Sequence, residues 1–209
     1  CGYRSVAVQT VDECHCHTLA ISTCRGTRRF RGSLAPVRDM GPDYGSPTDG
    51  VFIPRYSATC QCGAVAYEVR ADPVDAKVCH CRDCQKLHGA PMQWAAIFFK
   101  RDVRFTAGLE QLRFFNSVLN RCERALPCKV SCALCGTPIA DEGRRMWLAF
   151  PTLFDFGDSP GIPGTFRPTC HIFYGMRVID VVDGLPKWSG HKGRSTLLGE
   201  RRGHAPASD

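Results

Sequence analysis

From Arg55 onward the chain is marked by short runs of β-branched, aromatic and alanine residues: AVAYEV at 64–69, AAIFF at 95–99, VRFT at 103–106 and QLRFF at 111–115. Runs of this length and composition read as strands. MWLAF at 146–150, HIFY at 171–174 and VIDVV at 178–182 continue the pattern, with Gly, Pro or Asp at most of the breaks. Between strands, RDCQKLH at 82–88 leaves room for about one turn of helix. The expected fold is mainly β, with antiparallel sheets and few short helical turns, from about residue 55 to about residue 192.

The segment before it has a different texture. Residues 25–50 (RGTRRFRGSLAPVRDMGPDYGSPTDG) are rich in Gly, Pro, Arg and Ser and carry neither strand nor helix periodicity. The acid-poor, Arg-rich part has some transit-peptide character, though a solvated flexible segment accounts for the same composition. Residues 1–54 are expected to form an arm or linker, and residues 193–209 a C-terminal tail.

Composition narrows the class further. With 209 residues, 44% hydrophobic and 22% charged, the chain suits one globular domain plus an appendage. The net charge of +7 is spread along the chain without the dense Lys/Arg block of a nucleic-acid tail, and suits small anionic substrates equally well. No apolar run approaches the roughly 20 residues of a membrane-spanning helix. The N-terminus has no apolar h-region of a secretory signal, so the 14 cysteines are expected as reduced thiols in a cytoplasmic protein.

Seven of those cysteines fall into three groups: Cys60 and Cys62 in CQCG, Cys79, Cys81 and Cys84 in CHCRDC, and Cys132 and Cys135 in CALCG. A C-x-x-C followed by Gly forms a knuckle, a turn that converges two thiolates on one ion while backbone N–H groups point at the sulfurs. Cys60 and Cys62 can supply the other half, giving a closed structural zinc site on Cys60, Cys62, Cys132 and Cys135. Cys79, Cys81 and Cys84 remain, three ligands that leave a position for water or a substrate thiol, as catalytic zinc is usually held. The alternatives are a site closed by His80 or His88, or three structural thiols without metal. His80, between two ligands, is expected to face solvent or to act from behind the ligands.

CQCGAVAYEV, CHCRDCQKLHG, CALCGTPI and HIFYGMRVIDVVDGLPKWSG together resemble the glutathione-dependent formaldehyde-activating enzyme family, whose domain also occurs in centromere protein V. The resemblance covers about residues 55–192. It implies a β fold of complex tent-like sheets, two zinc ions per chain at the two cysteine sets, and condensation of glutathione with formaldehyde to S-hydroxymethylglutathione, formally a carbon–sulfur lyase reaction in reverse.

The chemistry agrees with the residues. A thiolate adds to an aldehyde whereas a thiol scarcely does, and coordination to zinc removes the proton of a thiol whose free pKa is about 8.5. Arg82 and Lys86, beside the ligands, are candidates to pair with the carboxylates of glutathione; a solvated basic turn is the plainer reading of both. The expected partners are a small thiol and a small aldehyde, with no membrane and no nucleic acid; the sequence does not address oligomeric state. A reading from another class is a non-catalytic, zinc-stabilised module that contacts protein or nucleic acid; it has no use for a vacant coordination position. ECHCH at 13–17, with Cys24, echoes the second group without a Gly knuckle. Cys122, Cys128 and Cys170 are expected as small buried residues. His171 is expected in the core or in a hydrogen bond, and Trp94 and Trp188 in packing.

Overall fold

The computed structural model describes residues 51–157 and 161–198. The arm expected over 1–54 therefore lies almost entirely outside the described residues, as do the ECHCH segment and Cys24.

The described residues are mainly β, with one α-helix and two sheets. The smaller sheet has four strands, β1 (Tyr56–Thr59), β2 (Ala66–Val69), β5 (Val103–Ala107) and β10 (Phe154–Asp155), in the order β10-β1-β2-β5. The larger begins at one edge with β13 (Leu197–Leu198), β12 (Lys187–Trp188) and β11 (His171–Ile172), followed by β3 (Asp75–Cys79) and β4 (Gln93–Phe99). It continues through β9 (Met146–Ala149), β8 (Pro138–Glu142), β7 (Cys128–Cys132) and β6 (Leu112–Phe115).

Alternation decides which side chains fill the space between the sheets. On β2, Tyr67 and Val69 are buried, and Tyr67 meets Trp147 of β9 edge to face with ring centroids 5.8 Å apart. Phe98 of β4 lies 5.8 Å from Phe154 of β10, a second aromatic link from sheet to sheet. Each such pair contributes about 0.5–1.5 kcal/mol beyond its area burial. On β7, Cys128, Val130 and Cys132 are buried, which turns Lys129 and Ser131 to the other face. That second face carries the chemistry described below.

Several expectations need correction. VIDVV at 178–182 is not a strand, and Val178, Ile179 and Val182 are 53%, 49% and 88% exposed. The edge of β3 is already taken by β11, and the 178–182 segment is tied back to the turn before it: the Tyr174 hydroxyl accepts from the Val181 N–H at 2.8 Å, and Arg177 pairs with Asp180. HIFY is extended only at His171–Ile172; Phe173 turns left-handed at φ 54° and Tyr174 begins a single 3-10 turn. The sheets are mostly antiparallel, as expected, with β11 running parallel to both β3 and β12. The folded unit was expected to end near residue 192, and β13 pairs with β12 beyond that point. The helix, α1 (Arg82–His88), occupies the expected residues but spans about two turns. Cys128 and Cys170 are buried as expected, whereas Cys122 is exposed.

Candidate metal centres and the adjoining cleft

Two hairpin turns from different sheets meet at the first centre. The turn between β1 and β2 carries Cys60 and Cys62, while Cys132 ends β7 and Cys135 lies in the turn to β8; their four sulfurs lie within 4.8 Å of one another. Gly63 (φ +75°) and Gly136 (φ +74°) follow the cysteine pairs, each in the left-handed conformation that relieves a turn of Cβ crowding. The Gly63 N–H returns to the Cys60 carbonyl and that of Gly136 to the Cys132 carbonyl. Backbone also reaches sulfur: the Val65 N–H donates to Cys60 Sγ at 3.3 Å. Burial opposes ionisation of Cys60, yet that N–H and the neighbouring thiols lower its pKa. The Thr137 hydroxyl, 3.1 Å from Cys135 Sγ, and then the Thr137 N–H bring Cys135 down to about 5.

The second centre is built at one corner. Cys79 ends β3; Cys81 caps α1 with its sulfur, accepting the Cys84 N–H at 3.4 Å; Cys84 lies in the first turn. The three sulfurs again lie within 4.8 Å of one another, and neither His80 nor His88 joins the group. They do not ionise alike: hydrogen bonds from Cys79 and then Cys84 hold Cys81 down to about 2, while Cys81, Cys84 and burial push Cys79 up. Donor sets of sulfur alone suit zinc, and backbone N–H groups already turned toward sulfur fit thiolates. Both sets of residues therefore fit the metal.

His80 does not face solvent. It is fully buried, and its Nε2 lies 2.8 Å from His171 Nδ1, while His171 Nε2 lies 2.7 Å from Asp183 Oδ2. Burial and then the neighbouring His171 push the His80 pKa down to about 4. Gln85, buried on α1, donates to the His80 carbonyl at 2.7 Å and to that of Met176 at 3.0 Å. The corner is thus backed by linked side chains of His80, His171 and Asp183, with Gln85 of α1 bonded to the His80 backbone.

On its other side the corner meets residues that sequence reasoning passed over. Lys129 donates to Cys84 Sγ at 3.3 Å, to Gln93 Oε1 at 3.0 Å and to Asp141 Oδ2 at 2.7 Å. Register makes this possible: Lys129 faces Asp141 across β7–β8, and Gln93 faces Cys79 across β3–β4. Although burial acts against it, the Asp141 carboxylate and the Cys84 sulfur raise the Lys129 pKa, so the ammonium is retained. The available signal was its place in CKVSC, an odd position on a strand whose even positions are apolar or cysteine.

His88 follows Cys84 by one helical turn, which places both on one side of α1. His88, Gln93, Met92, Trp94, Phe150 and Leu153 line a cleft of about 430 Å³. The His88 ring stands edge-on to Phe150 with centroids 4.8 Å apart, and the Trp94 indole N–H donates to the Phe166 carbonyl at 3.0 Å. Arg82 and Lys86 are exposed on α1 and do not line the cleft; Arg82 donates to Gln85 Oε1 at 2.9 Å. Among the described residues, no helix is long and apolar enough to cross a membrane.

Comparison with known proteins adds the following. No curated protein matches the chain. A crystal structure of a Rhodobacter sphaeroides protein resembles it with 22% identity and a TM-score of 0.40, over 51% of this chain and 97% of that one. A family model described as glutathione-dependent formaldehyde-activating enzyme matches residues 55–176, which include both cysteine centres and Lys129. The chain belongs to the glutathione-dependent formaldehyde-activating enzyme family.

Proposed function

We propose that the protein is a zinc-dependent carbon–sulfur lyase of the S-(hydroxymethyl)glutathione synthase type, joining glutathione or a related thiol to formaldehyde or another small aldehyde. The observation that carries this reading is the three-sulfur corner with Lys129 against Cys84 and a cleft beside it. Cys79, Cys81 and Cys84 would hold one zinc, and Cys60, Cys62, Cys132 and Cys135 a second, structural one. A zinc ion held there would lower the pKa of an incoming thiol and so make a thiolate available near neutral pH.

The protein's own residues do the rest. Gln93 and Asp141 orient the Lys129 ammonium, whose charge offsets the accumulated thiolates and helps hold an anion near Cys84. The exposed Arg82 and Lys86 are proposed to meet the carboxylates of the thiol. In the condensation a C–S bond forms, the carbonyl π pair moves to oxygen, and that oxygen takes one proton, replacing the one lost by the thiol. The active unit is proposed to run from about residue 55 through β13 and to act in the cytoplasm on small molecules.

The test is metal analysis with initial-rate kinetics. Reduced, purified protein should carry two zinc ions per chain of unequal lability and accelerate hemithioacetal formation above the uncatalysed rate. One zinc per chain with no acceleration would instead support the non-catalytic module.

A further inference from the structure

The cleft beside the corner is larger and more apolar than formaldehyde requires. Of the residues around its 430 Å³, Trp94, Phe150, Pro151 and Leu153 present carbon, and among the described residues no Asp, Glu, Lys or Arg lines it. An adjoining hollow of about 140 Å³ shares His88, Pro138 and Phe150 with it and holds Lys129 and Asp141, which are paired with each other at 2.7 Å. Charge is thus gathered next to Cys84, while the larger space is left to groups that need no counter-ion. The two carboxylates of glutathione have no cation in the cleft. A ring or branched alkyl group would bury its surface against Trp94, Phe150 and Leu153.

Resting on the function proposed above, we infer that this cleft holds the substituent of the aldehyde, and that the preferred substrate class is an aldehyde bearing an apolar group the size of a phenyl ring. The carbonyl lies toward His88 and Gln93, the part of the wall that continues through Lys129 to Cys84. The thiol's charged ends stay outside, on the exposed face of α1. The bonds made and broken are those of formaldehyde condensation, with the apolar group in place of one hydrogen.

The experiment compares formaldehyde with phenylacetaldehyde, glutathione being the thiol, on zinc-loaded protein by initial rates. The expected result is a kcat/KM at least about tenfold higher for phenylacetaldehyde, the discrimination an apolar pocket gives for a few added carbons. Thr152→Arg puts a charge at the exposed edge of the cleft and Ala90→Phe fills it; each should bring the ratio of the two kcat/KM values close to one. Benzyl alcohol, which has the ring without the aldehyde, should show saturation transfer to its aromatic protons with the wild-type protein and lose it with Ala90→Phe. Acceleration of formaldehyde without preference for phenylacetaldehyde would overturn this inference and leave the proposed function standing. Acceleration of neither aldehyde would overturn both.

Discussion

The two cysteine groups use the same sulfur chemistry in opposite surroundings. The four-cysteine group ties turns from two sheets together, and its sulfurs are approached by backbone N–H groups and the Thr137 hydroxyl; two of its members, Cys62 and Cys135, are exposed. The three-cysteine group comes from a single strand–helix corner, with Lys129, Gln93 and Asp141 against one side and His80, His171 and Asp183 behind it. A centre that only holds the fold draws ligands from distant segments. A centre proposed to react needs neighbours that fix charge and orientation around it.

The largest effect expected from this contrast is on folding. Cys135→Ser removes one of four ligands that join the sheets, at a kind of site that can contribute on the order of 10 kcal/mol of metal-linked folding energy. Because Cys135 is exposed, little packing is lost with it, and a collapse in soluble yield and thermal transition would trace to the metal. Cys84→Ser should give folded protein that keeps the structural zinc, loses the labile one and no longer accelerates hemithioacetal formation. Equal unfolding of the two variants would erase the distinction between the centres.

A smaller effect is expected at Lys129. Lys129→Met leaves the Asp141 carboxylate beside Cys84 without its cation, and Asp141 Oδ1 already has no hydrogen-bond partner where it is buried. Breaking a fully buried pair costs about 3–5 kcal/mol; with side-chain exposures of 18% and 19%, this one should cost about 2 kcal/mol. Zinc release to a chromophoric chelator should quicken about tenfold for one ion per chain and stay unchanged for the other, with Lys129→Arg intermediate. Quickened release of both ions would make Lys129 a residue of the fold at large.

The sequence carried the cysteine grouping because ligand spacing within a turn is local: C-x-x-C-G is a turn and a chelate at once. It carried α1 and most central strands for the same reason, as at β4, where apolar residues run through AAIFF. It marked a strand at HIFY but neither how short β11 is nor its parallel partner, because its two paired residues depend on β3 arriving alongside from more than 90 positions earlier. The Lys129 cluster and the buried Glu142, which meets Lys100 at 2.7 Å and Arg124 at 2.6 Å, were equally hidden. These charges look like ordinary surface residues until strand register sets them face to face. VIDVV failed in the opposite direction: its composition favours a strand, but the place beside β3 is already filled.

The smallest effect concerns the back of the three-cysteine corner. His80 lies between Cys79 and Cys81, buried and held near a pKa of about 4, whereas the unfolded chain takes up its proton near the ordinary value of about 6.5. Above about pH 6.5 both states are neutral and the group costs nothing. As the pH falls toward 4, the unfolded state binds a proton that the folded state refuses, so stability declines. From pH 7 to 5.5 this amounts to about 1 kcal/mol, a window set by the depressed folded value and the ordinary unfolded one. Acid also opposes metal binding at both cysteine groups, so the informative quantity is a difference. His80→Gln keeps an amide that can donate to His171 but removes the titration, and its thermal stability should fall less than that of the wild type by about 1 kcal/mol over this interval. Parallel loss in the two proteins would mean that His80 is not the proton-linked element of the corner, and that the backing formed by His171 and Asp183 acts by shape alone.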